Sequence, residues 1–290
     1  MRTQIAFCLG VALLAGACGG ASNRHEYTLQ GQILAIAADR KDATIKHEDI
    51  KGFMPAMTMP YKVRDAKEYD NLAPGDLVTA TLVVVSNDAY LKDVKKVGSA
   101  PLEKPPAEAA MPTASAGFEL LKLGQPVPDA KFINQDGKPV TLASLQGSAV
   151  IVTFIYTNCP MPTFCPLMDR HFATIQEKLK AEHNELKVHL LSVSFDPAAD
   201  TPPVLKKHAE KLGADPRLWT FLTGDRDAID QWASRFGVSV SRALNDQRDI
   251  THNLRTAIID RQGNLVQTYP GNEWTPEQVL ADVRVMVGVD

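Results

Sequence analysis

Residues 99 to 117 read SAPLEKPPAEAAMPTASAG, and no single hydrophobic core can run through them. Four prolines, many alanines and no periodic apolar pattern describe an extended spacer. At ~3.1 Å per residue such a spacer spans several tens of ångströms. It divides a chain of 290 residues into two regions, which the length alone also favours. The pattern of the residues differs on its two sides.

Before the spacer, residues 26 to 98 carry only strand signals. These are 27–36, 43–47 after a turn at 39–42, 57–63, 77–85 after Pro74-Gly-Asp76, and 90–97. Five short strands joined by polar turns predict a small closed barrel of the OB type. After the spacer, residues 118 to 290 alternate. Strands are expected at 149–156, 188–195, 218–222, 255–260 and 265–269, and helices at 166–182, 202–212, 227–236 and 276–287. Residues 149–156 are continuously apolar, as in a strand buried on both faces. Thr201 and Pro202 supply a helix start and Gly213 its end. The order βαβαβαββα predicts a three-layer α/β domain.

The first residues belong to neither region. Arg2 precedes an apolar run from Ile5 to Ala15, then Gly16, Ala17 and Cys18. The run is shorter than the ~20 residues a spanning helix needs and reads as an export signal over residues 1–17. Leu14-Ala-Gly-Ala-Cys18 resembles a bacterial lipoprotein box, which implies lipidation at Cys18 and a flexible tether after it. Cys8 departs with the signal. Cys159 and Cys165 are then the pair left for disulfide formation, metal binding or thiol exchange. The net charge is −3 with no basic block, which gives nucleic-acid binding no support.

Two segments carry unusual chemistry. The first contains His47, Met54, Met57 and Met59. Met57 and Met59 stand two apart on a strand and share a face. One methionine is ordinarily core filler. Three within six residues beside a histidine offer soft donors suited to Cu(I). The stretch resembles the periplasmic copper-binding CusF-like domain, whose pattern is a histidine followed by Trp-Pro-x-Met-Thr-Met. The resemblance implies copper ligands at His47, Met57 and Met59. Met54 occupies the tryptophan position and the histidine spacing is one residue shorter, so Met54 offers a third sulfur or Phe53 an aromatic face.

The second segment is Cys159-Pro-Met-Pro-Thr-Phe-Cys165-Pro, between the apolar strand and a helix. The helix start is expected to favour the Cys165 thiolate. Together with Ser194-Phe-Asp-Pro197, Asp200-Thr-Pro202 and His252 before Thr256-Ala-Ile-Ile-Asp260, it resembles the Sco (SenC/PrrC-type) family of thioredoxin-fold copper chaperones. By that resemblance Cys159, Cys165 and His252 bind Cu(I), or Cu(II), and Asp196 supports them. The residues alone do not choose His252 over His171 or His189. Five residues separate the cysteines, where most of the family has three.

The resemblance implies a membrane-anchored periplasmic copper chaperone whose partner is a copper-receiving protein such as a cytochrome oxidase copper subunit. Since an oxidised pair holds Cu(I) poorly, a thioredoxin-like reductant is expected as a second partner. The other reading is a thiol–disulfide oxidoreductase with Cys159 and Cys165 as its redox pair.

Overall fold

The computed structural model describes residues 24–102, 119–182, 186–242 and 250–288. Cys8, Cys18 and most of the spacer lie outside the described residues. The first residue assigned to the spacer, Ser99, still belongs to a strand, and the Ala100 N–H donates to the Gly75 carbonyl.

The first domain is a five-stranded antiparallel sheet: β1 (His25–Ile36), β2 (Asp42–His47), β3 (Met57–Lys62), β4 (Asp76–Val85) and β5 (Asp88–Ser99). Its order is β3-β2-β1-β4-β5. A parallel bridge from Val63 to Leu91 joins the chain just after β3 to β5 and closes the barrel. Closure removes the sheet edges that would otherwise be exposed. Alternate residues of the strands, among them Leu29, Ile33, Ile45, Tyr61 and Leu82, fill the interior.

The second domain is built on a seven-stranded mixed sheet. It contains β6 (Lys131–Asn134), β7 (Pro139–Thr141), β8 (Ala149–Ile155), β9 (Val188–Ser194), β10 (Trp219–Thr223), β13 (Arg255–Ile259) and β14 (Leu265–Pro270). A separate hairpin pairs β11 (Val240–Arg242) with β12 (Ile250–His252). The sheet order β14-β13-β8-β9-β10-β6-β7 puts β8 near the centre, parallel to β9, and every residue of β8 is buried. The helices are α1 (Cys165–Ala181), α2 (Pro202–Leu212), α3 (Arg226–Arg235) and α4 (Pro276–Val287).

Two expectations need correction. The hairpins β6–β7 and β11–β12 were not foreseen. Their strands are three or four residues long, too short for alternation to register. Thr201 stands at the cap of α2, but its side chain makes no capping bond. Gly213 ends α2 in the left-handed conformation, as expected.

Candidate metal centre

The cysteine loop leaves the carboxyl end of β8, where ligands gather in parallel α/β sheets. Several bonds fix it. The buried Asp200 carboxyl accepts from the Thr157 N–H at 3.0 Å, the Thr157 hydroxyl at 2.5 Å and the Ser194 hydroxyl at 2.5 Å. Arg170 donates to the Pro162 carbonyl at 2.8 Å, and Asn272 to that of Thr163 at 2.7 Å.

Cys159 and Cys165 are free thiols with opposite tendencies. Cys165, the first residue of α1, is fully enclosed, and burial pushes its thiol well up. Hydrogen bonding to the Cys165 thiol holds the Cys159 thiol below its ordinary range. Backbone groups of Cys165 and Met161 and the Tyr156 hydroxyl add to the effect, against the cost of burial. The helix start therefore serves the sulfur of Cys159, and the expectation of a Cys165 thiolate is corrected. Desolvation outweighs the helix end at Cys165 itself.

His252 closes β12 and sits one loop before β13. Its partner across the hairpin is Val240 on β11. Arg242 on the same strand fastens β11 through Asp230 on α3 at 2.5 Å and through the Phe195 carbonyl. The imidazole meets the Phe195 ring at 4.4 Å and the Tyr156 ring edge-on at 5.7 Å. Burial lowers its pKa to about 4, so the ring is neutral at neutral pH. Nδ1 lies 3.1 Å from the Asn253 carbonyl, which leaves Nε2 as the free lone pair. Asp196 is buried nearby, with its carboxyl raised by burial and by Asp200. His189 is committed to Thr220 at 2.9 Å, and His171 lies edge-on against Trp274.

The barrel repeats the histidine device. His47 Nδ1 lies 2.7 Å from the Glu48 carbonyl, and Nε2 is buried without a partner. A ligating histidine typically spends its other nitrogen on such a carbonyl. His47 pairs directly with Met57 across β2 and β3. On its other side it pairs with Gly31, where a Cβ would come within 2.8 Å of the His47 Cα. Only glycine lets the two strands approach that closely. Met54 is buried and its sulfur accepts from the Tyr61 hydroxyl at 3.8 Å. Phe53 stacks on Tyr27 at 4.5 Å, so it is engaged within the barrel.

The two regions meet. A cavity of about 30 Å³ is lined by Met54, Met57 and Met59 from the barrel and by Cys159, Met161 and His252 from the second domain. Its volume exceeds the ~10–15 Å³ that a single water needs. Cys165 and His47 are not part of this lining. Among the described residues, no three His, Cys, Asp or Glu side chains converge into a ready cage for an ion. A larger cavity of about 180 Å³ lies beside Val150 and Ile259, towards the other end of β8, and has no sulfur or imidazole in its wall.

Residues 125–288, more than half of the chain, match the family model described as SCO1/SenC. The chain belongs to the SCO1/SenC family. Residues 26–96 separately match the model of the copper-binding periplasmic protein CusF. The SCO1 protein homolog of Bacillus subtilis is 35% identical over 155 residues, covering 53% of this chain and 78% of that protein. A SCO1/SenC family lipoprotein from Bacillus anthracis is 30% identical, with a TM-score of 0.50 over 57% of this chain and 99% of its own. BsSco, described as a member of the Sco family of cytochrome c oxidase assembly proteins, is 34% identical over 57% of this chain and 96% of its own, with a TM-score of 0.48. The thioredoxin-like architecture expected from the sequence is thus that of a SCO1/SenC domain. None of the helices among the described residues is long and apolar enough to cross a membrane.

Residues that sequence reasoning did not assign also matter here. Asp200 and Arg242 brace the elements that carry Cys159 and His252. The Asp200-Thr-Pro motif was visible, but no local feature shows that its carboxyl reaches back to Thr157.

Proposed function

We propose that the chain is an exported, membrane-anchored copper chaperone that delivers Cu(I) to a copper-receiving subunit of a cytochrome oxidase. The observation that carries this is the pairing of a thiolate-prone Cys159 with a neutral His252 in the wall of one cavity. Thiolate and imidazole are donors for a soft monovalent ion. Cys165 completes the set once its own proton is lost, and ligation supplies the driving force for that loss. In the barrel, His47 Nε2, Met57, Met59 and Met54 form a second soft set that collects Cu(I). The oxidase as destination is supported by the description of BsSco as a member of a family of oxidase assembly proteins. Anchoring is supported by Cys18 at the end of the apolar leader and by the lipoprotein character of the Bacillus anthracis relative. An external thioredoxin-like reductant keeps the cysteines open to copper.

The cysteine asymmetry favours a second reading. A low-pKa thiol backed by a buried high-pKa thiol also suits a thiol–disulfide oxidoreductase acting on the cysteines of a copper-receiving protein. His252 separates the two. In the chaperone, His252→Ala removes Cu(I) from the second domain and leaves thiol exchange largely intact. Retained copper with lost exchange assigns the oxidoreductase role instead.

A further inference from the structure

The cavity between the domains mixes ligands in a way that neither domain's own site would. Its wall presents barrel thioethers on one side, from Met57 and Met59 with Met54, and Cys159 with His252 on the other. Cys165 does not reach the wall, so the two-cysteine set is not what the docked molecule offers to an ion there.

The contact between the domains is built rather than grazing. Met161, in the middle of the long cysteine loop, is 5% exposed and buried in the barrel's own apolar cluster, with Phe164 and Cys159 packed beside it. Lys62 on β3 reaches Glu273 of the second domain at 3.0 Å. The long spacing between the cysteines is what supplies Met161 to the barrel. Because the spacer ties the domains together, their effective concentration is high and a modest interface keeps them docked.

We propose that the docked chain binds one Cu(I) between its domains, with thioether sulfur from Met57 or Met59 and the Cys159 thiolate bound to the same ion and His252 completing the set. This rests on the copper reading above. The shared site makes the handover intramolecular. A copper–thioether bond breaks as a copper–thiolate bond forms, the Cys159 proton leaves to solvent, and the metal stays monovalent throughout, so no electron donor is involved. A second Cu(I) per chain forces each domain to use its own donors.

The test uses the full reduced chain and one equivalent of ¹⁰⁹Ag(I), a monovalent d10 probe with a nuclear spin. The expected result is a single silver resonance that correlates with both a methionine methyl of the barrel and the Cys159 methylene. A resonance that correlates with cysteine alone, or separate methionine and cysteine resonances, overturns the shared site and leaves the chaperone reading standing. Failure of the reduced chain to take silver at all overturns both. A second measurement covers rapid exchange between separate sites. Replacing Met57 and Met59 by leucine keeps volume and removes the sulfurs. It should weaken Cu(I) affinity for the first equivalent at least ~10-fold by deleting one arm of a tethered pair. Unchanged affinity contradicts the proposal.

Discussion

Cys159 and Cys165 stand in contact with opposite acidities: hydrogen bonding to the Cys165 thiol holds Cys159 down, while burial above all pushes Cys165 up. Removing the donor should raise the pKa of Cys159. Cys159 in Cys165→Ala should therefore need a higher pH for half-maximal alkylation than in the parent, while Cys165→Ser, which keeps an O–H donor, should fall between. Alkylation rates followed by mass spectrometry across pH check this. In the parent, Cys159 should be labelled first and Cys165 protected until the domain opens. Preferential labelling of Cys165 contradicts the assignment.

His47 is buried with a free Nε2, an arrangement that costs stability unless something binds it. An unsatisfied buried polar atom costs roughly 1–3 kcal/mol and a lost neutral hydrogen bond about 1 kcal/mol. His47→Leu should therefore leave metal-free stability within about 1 kcal/mol of the parent by urea denaturation. The same substitution should weaken Cu(I) binding in a Cys159→Ser background, where the barrel alone remains. A large loss of metal-free stability with intact copper binding makes His47 structural.

Asp200 accepts three hydrogen bonds with no exposure to solvent, two of them from Thr157, next to the cysteine loop. Asp200→Ala strands those donors and should cost about 3 kcal/mol or more in urea denaturation. Asp200→Asn retains an acceptor and should cost less. In the folded Asn variant, the alkylation pH profile of Cys159 should shift, because Thr157 no longer fixes the start of the loop. An unchanged profile confines Asp200 to stability alone.

Met161 is the apolar plug between the domains. Burying such a side chain is worth roughly 1.5–3 kcal/mol, and a carboxylate in its place has no partner there. Met161→Asp should separate the domains while both stay folded. Small-angle scattering should show a larger radius of gyration, with circular dichroism unchanged. Equal dimensions for variant and parent mean that Met161 does not hold the interface.

Much of this was legible in the sequence, and the reasons are local. The barrel strands and the four helices declared themselves through alternation, Pro166, Pro202 and Gly213, each acting within a few residues. Met57 with Met59, and Cys159 with Cys165, stood out by spacing alone. The short strands at Lys131–Asn134 and Val240–Arg242 did not, since each pairs through the sheet or a returning loop. The acidity order of the cysteines was misjudged because burial depends on what packs over α1, and the sequence near Cys165 shows only a helix start. The meeting of Met57 with Cys159 was beyond reach for the same reason: the two are far apart in the chain, and the spacer between them hides how they return.

The most direct measurement of the central claim is anaerobic competition for Cu(I) between the fully reduced chain and a chromogenic chelator. The account predicts two equivalents bound, one lost with Cys159→Ser and the other with Met57→Ala plus Met59→Ala. A reduced chain that leaves all copper with the chelator, or one that binds equally well as its disulfide, contradicts it.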